Sequence, residues 1–174
     1  YYDLLERFPY DPNIRADFGA LLIDLNCLKE ASCVLFDIPE NPREKETRKD
    51  ANGYVHLENV RTLWYSQAGR MQDAFCNAEN TLQNYPNEGS AYAALAGLKG
   101  SIGLYRQAID DYVDARVIEP DNEDFYRAEK DIHDAHLPYG FGEFEYRKTG
   151  STQKEHFLRL GFAYNLKEHS QIQM

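Results

Sequence analysis

Residues 89–120, GSAYAALAGLKGSIGLYRQAIDDYVDARVIEP, decide the fold. They read as two amphipathic helices with a turn at Ser101–Gly103. In the first helix, Ala94, Ala96 and Gly97 are small enough to let it lie close to a neighbour. In the second, Tyr105, Ala108, Ile109, Tyr112 and Ala115 recur at helical spacing and make an apolar stripe. Pro120 stops that helix, and Asp121–Asn122 turn the chain onward.

The same residues resemble a tetratricopeptide repeat (TPR). Tyr92 stands at that pattern's Trp position, Leu95–Ala96 at its Leu–Gly pair, and Gly103 and Tyr105 at its turn. Ala108, Tyr112, Ala115 and Pro120 follow in register. The bland alternative is a generic helical hairpin. Working backwards, Gly69, Ala74 and Pro86 each precede Gly103, Ala108 and Pro120 by 34 residues, the TPR period. A middle repeat is therefore expected over about 55–86, with HLENVRTLWYSQAG as its first helix. Tyr65 fits the pattern there, whereas Arg61 and Thr62 replace its Leu–Gly pair.

Ala31 lies 43 residues before Ala74, one period plus nine. Pro9, Gly19, Leu22 and Leu28 share this phase and place a first repeat at about 10–38, with Gly19 and Leu22 facing inward. The extra nine residues fall within IPENPREKETRKDANG, read as a surface insertion. Pro39 and Pro42 end the preceding helix after Phe36, and Glu44 to Lys49 alternate charge on a short solvated helix. The opening YYDLLERFP reads as mid-helix, the expectation for a piece of a longer protein.

Beyond Pro120, Asp121 or Asn122 can cap a helix over 122–136 with Phe125, Ala128, Ile132 and Ala135 at helical spacing. It is expected to close the array by covering the last repeat's apolar face. The helical domain is thus placed at 1–137. From Tyr139 the periodicity becomes two. Phe144 and Tyr146 alternate with Glu143, Glu145 and Arg147, a turn is expected at Thr149–Ser151, and HFLRLGFAYNL alternates again. Leu158, Leu160, Phe162, Tyr164 and Leu166 hold one parity of that run. The expected fold class is mainly α: an α-solenoid of antiparallel helix pairs, then a C-terminal antiparallel β-hairpin over 138–174. A lone hairpin is unstable in water, so it either opens a β-barrel or folds back onto the repeats.

Composition narrows the function. Nineteen Lys and Arg against 29 Asp and Glu give a net charge of −10, which argues against nucleic acid as a partner. No long apolar run suggests a membrane helix. The cysteines Cys27, Cys33 and Cys76 form no CxxC pair; Cys33 and Cys76 each follow a repeat alanine by two residues and read as small residues on helix flanks. His133 and His136 share a helix face with Asp134 and Glu129 close by, but two histidines with no third ligand define no metal site. No Ser–His–acid order or phosphate-binding Gly loop is present, so neither catalysis nor a cofactor is expected.

A TPR array, a closing helix ending in DIHDAH, then strands beginning EFEYRKTG: this order is similar to outer-membrane exopolysaccharide export porins of biofilm-forming bacteria. That resemblance implies a periplasmic TPR scaffold that binds a polysaccharide or a partner protein and passes cargo to the barrel. An acidic domain would suit a partly deacetylated, cationic polymer or a basic partner. The alternative is a soluble, cytoplasmic TPR adaptor for protein–protein interaction. In either case the binding surface is the concave groove of first helices. Repeat phase places Asn13, Asp24, His56, Asn59, Ser66, Gln67, Ser90, Ala93 and Gly97 on it, together with Ala16, Ala20 and Leu63.

Overall fold

The computed structural model describes residues 1–37, 51–136, 139–149 and 153–163. Among them lie eight helices followed by two strands. The helices are α1 (Tyr2–Arg7), α2 (Pro12–Asp24), α3 (Leu28–Phe36), α4 (Ala51–Gln67), α5 (Met71–Asn84), α6 (Gly89–Ser101), α7 (Tyr105–Ile118) and α8 (Glu123–His136). The chain divides into two compact units, Tyr1–Glu129 and Lys130–Met174, with the division inside α8.

Within the first unit, α2/α3, α4/α5 and α6/α7 are consecutive packed pairs, and α4 also packs on α2 and α6. The turn inside each pair has the same chemistry. Gly69 and Gly103 have φ of 73° and 83°, and the matching residue of the first pair is Asn26, at φ 58°. Around each, an amide reaches back five residues: Cys27 N to Leu22 O, Arg70 N to Tyr65 O and Leu104 N to Lys99 O, at 2.8–2.9 Å. This is the Schellman closure, which needs a residue in the left-handed region. Glycine takes it without a Cβ penalty, and Asn is the next best choice. The turns that lead into α2, α6 and α8 also match. Asp11, Glu88 and Asn122 each donate their amide to the carbonyl three residues back, on Phe8, Tyr85 and Glu119. At the first of these turns Asp11 caps α2, accepting from the Asn13 and Ile14 amides at 2.9 and 3.3 Å.

Small residues set how closely the helices approach. Ala31, Ala74, Ala78, Ala96, Ala108 and Ala115 are fully buried. Gly19 lies so near α3 that a Cβ there would sit 2.4 Å from Leu35 Cδ2, and Leu35 is itself fully enclosed. Gly97, expected to serve close packing, is instead exposed; Ala96 beside it is the buried contact. Ala16, expected on the groove, is fully buried, because it belongs to the core cluster that α2 forms with α3 and α4. The α4 helix also starts earlier than expected, at Ala51, so the last residues read as insertion are its first turn. The rest of that reading, at 38–50, lies outside the described residues.

Arg61 and Thr62, the misfits of the middle repeat, have polar duties. α3 is only nine residues long, and its last carbonyls have no helical donor. Arg61 Nε and Nη2 donate to Leu35 O at 3.0 and 2.7 Å, while Nη1 donates to Glu58 at 2.6 Å. Arg15 Nη1 donates to Val34 O at 2.6 Å and its Nε to Pro9 O at 2.8 Å. Thr62 Oγ1 accepts from Asn77 Nδ2 at 3.0 Å, and the same nitrogen donates to Glu58 O. Two guanidinium groups therefore close α3, and an amide bridges α4 to α5.

In the α8 region, Phe125 is buried, and Arg116 on α7 pairs with Glu129 and stacks over Tyr126 at 4.9 Å. In the second unit, β1 (Tyr139–Thr149) pairs antiparallel with β2 (Gln153–Ala163), running from Tyr139 opposite Ala163 to Thr149 opposite Gln153. β2 thus begins three residues before the His156 expected from the sequence. The readings at Gly150–Ser151 and from Tyr164 onward lie outside the described residues.

Restoring the repeat pattern's leucine tests the capping role. Arg61→Leu strips the Leu35 carbonyl of its donors and leaves Glu58 without its cation, so it is expected to destabilise by about 1–3 kcal/mol. Urea unfolding should show a lower midpoint with unchanged m; an equal or higher midpoint contradicts the assignment.

Candidate functional site

The packing of α4 against α6 leaves a groove of about 330 Å³ between them. Asn59, Thr62, Leu63, Ser66 and Gln67 line it from α4, and Ala93, Ala94, Gly97, Leu98 and Ser101 from α6. It forms because the α6 wall carries only small side chains at 93, 94 and 97. A Cβ on Gly97 would meet only the Tyr112 hydroxyl, 3.9 Å away. Asn59 also ties the two walls, its Nδ2 donating to Ser90 O at 3.1 Å.

The structure thus brings Asn59, Ser66, Gln67, Ala93 and Gly97 together around one groove, with Leu63 beside them. Ser90 joins through its carbonyl. His56 is exposed and pairs with Asp17 of α2 at 3.0 Å. Asn13 and Asp24 are exposed at the two ends of α2 and do not line the groove. Repeat phase does not place Thr62, Ala94, Leu98 or Ser101 on the groove. Their signal was present, as neighbours of the chosen positions on the same helix faces.

Charge around the groove is one-sided. The groove-forming helices and their neighbour α2 carry three Lys or Arg: Arg15, Arg61 and Lys99. Arg15 and Arg61 are committed to α3. Lys99 Nζ lies 2.6 Å from Asp111 Oδ2 on α7, with both side chains largely buried. On α2, by contrast, Asp17 and Asp24 are exposed. Burial lowers Arg15 from the usual guanidinium value, with the Arg61 charge adding to the effect. Burial raises the Asp111 carboxyl above its ordinary value; Lys99 opposes that rise, and Asp114 and Asp110 add to it.

A second, wider hollow of about 720 Å³ lies at the α7–α8 turn, between Ile118 and Arg127. Several of its acids are already engaged. Glu119 accepts from the Gly89 amide at 2.8 Å and from Asn122 at 3.1 Å, and Arg127 pairs with Asp124 and Glu123. Among the described residues no group of three or more His, Cys, Asp or Glu is placed to hold a metal ion. Cys33 and Cys76 are exposed and Cys27 half-buried, all as free thiols. No helix among the described residues is long and apolar enough to cross a membrane.

No family model and no curated protein matches the chain. Among solved structures, it is similar to the C-terminal TPR-containing domain of a Plasmodium falciparum protein assigned as FK506-binding. That match has 16% identity and a TM-score of 0.46, and covers 71% of this chain and 87% of the other. A second similar structure is a thermophilic TPR protein of Thermus thermophilus, with 17% identity and a TM-score of 0.44, covering 74% of this chain and 84% of the other. The reading of this chain as a TPR-like array of helix pairs rests on its own repeated turns and packing.

Because Asp111 is raised, the folded chain holds its proton more tightly than the unfolded chain does. Its contribution to stability is present at low pH and lost as pH rises through the folded carboxyl's range. Asp111→Asn lacks that dependence. The variant's melting temperature is expected to gain on the parent's between about pH 4 and about pH 7. A difference that is constant or shrinks would contradict the burial of this carboxyl.

Proposed function

We propose that the chain is a non-catalytic interaction scaffold that binds a protein segment along the α4–α6 groove. The observation carrying this reading is the groove itself: an uncharged lining, small side chains at 93, 94 and 97 on the α6 wall, and every Lys and Arg of α2, α4 and α6 already engaged. Among the described residues that line it there is no Asp, Glu, His, Cys or Lys to act as acid, base or nucleophile partner. A rigid helical array with a preformed hollow loses little entropy on binding.

A second reading is favoured by the two strands. β1 and β2 are eleven residues each, within the length of a membrane-spanning strand. On that reading the array is the periplasmic part of an outer-membrane export protein and receives a polysaccharide or a partner protein. The cytoplasmic adaptor is its competitor.

Two experiments separate these readings. Affinity capture with the full chain is expected to yield a protein that is lost with Gly97→Leu, which fills the groove, and kept with Gln83→Leu, an exposed site on α5. Equal loss or equal retention in both variants contradicts the groove as the binding site. Fractionation of the producing cells, read by heat-modifiable gel mobility, tests the compartment. A heat-shifted outer-membrane band supports export, and an unshifted soluble protein supports the adaptor.

A further inference from the structure

We infer that the segment received by the α4–α6 groove is basic: an extended peptide with small apolar side chains seated in the groove and Lys or Arg reaching over α2. This rests on the groove being the binding site, as proposed above, and adds the chemistry of the occupant.

The argument is one of charge complementarity. Each cation on α2, α4 and α6 is turned to an internal acceptor. Arg15 serves the carbonyls of Pro9 and Val34, Arg61 the carbonyl of Leu35 and the Glu58 carboxylate, and Lys99 the Asp111 carboxylate. An acidic segment or a terminal carboxylate would therefore meet no available cation on these three helices. Carboxylates on the same helices are divided differently. Glu58 is paired with Arg61; Asp17 and Asp24 are both exposed on α2, and among the described residues Asp17 pairs only with the exposed His56. They are seven residues apart, two helical turns, and so share one face. The 3.0 Å contact from Asp17 to His56 places that face beside α4. The chain's net charge of −10 adds a long-range field of the same sign.

The groove's size limits what can enter. Ala93 and Gly97 open one wall, and Leu63 on the other is exposed and apolar. A volume of about 330 Å³ admits small side chains of an extended chain rather than a whole helix. Apolar burial would then supply affinity, and the exposed carboxylates register and on-rate.

The test is display selection of random twelve-residue peptides on the full-length chain, run in parallel on Gly97→Leu. Position 97 is exposed and open, so leucine there fills the groove without disturbing the packing, as circular dichroism would verify. The expected result is a pool that binds the parent, is lost on Gly97→Leu and carries net positive charge. Its best member should bind Asp17→Asn/Asp24→Asn about three- to tenfold more weakly, with a flatter dependence on salt. A Gly97-sensitive pool that is neutral or acidic overturns the charge inference and leaves the groove reading standing. Basic peptides retained equally by Gly97→Leu overturn it as well, since they would report only the acidic surface. The absence of any Gly97-sensitive pool removes the reading of the groove as a site for a protein segment. Gly97-dependent binding of a partly deacetylated amino-sugar oligomer, with no such pool, would assign the groove to a polymer instead.

Discussion

The left-handed turn inside each helix pair is the constraint on which the rest of the helical unit depends. One residue at positive φ, with a five-residue back-bond across it, reverses the chain within three residues. Because Asn26, Gly69 and Gly103 perform the same reversal, successive pairs present equivalent faces to one another. The alanines then meet, and the first helices α2, α4 and α6 line up. A groove between α4 and α6 follows from that alignment together with short side chains on one wall.

The polar interior links fold to function. α3 ends on the same backbone cap bond as α5 and α7, and Arg15 and Arg61 take the Val34 and Leu35 carbonyls that follow. Lys99 is likewise drawn inward to Asp111. Those contacts commit the positive charge of the first helices to structural purposes. The groove lining is left with uncharged polar groups and apolar carbon, and the exposed carboxylates Asp17 and Asp24 stand on α2. The electrostatic character of this surface is thus a by-product of how the array stabilises its irregular members.

Much of the helical unit was legible in the sequence because its signals are local and periodic. Gly103, Ala108 and Pro120 each have a counterpart 34 residues earlier, and the glycines' φ angles and the alanines' burial follow from residue type. The groove wall formed by Asn59, Ser66, Gln67, Ala93 and Gly97 follows from the same phase. The polar contacts were not legible. That Arg61 reaches the carbonyl of Leu35, 26 residues away, depends on where α3 stops, which no periodicity states. Asn26 is not legible as a turn residue because the pattern there expects glycine, and the burial of Ala16 depends on how α3 and α4 residues pack around it. The start of α4 was read late because Gly53 and the polar run before it resemble a loop.

The central claim is that binding occurs between α4 and α6, and hydrogen exchange on the full chain tests it most directly. Exchange would be followed with and without the captured partner. The account predicts added protection concentrated at residues 59–67 and 93–101, with α5, α7 and the β1–β2 pair unchanged. Protection confined to α5 and α7, or to the strands, would contradict it.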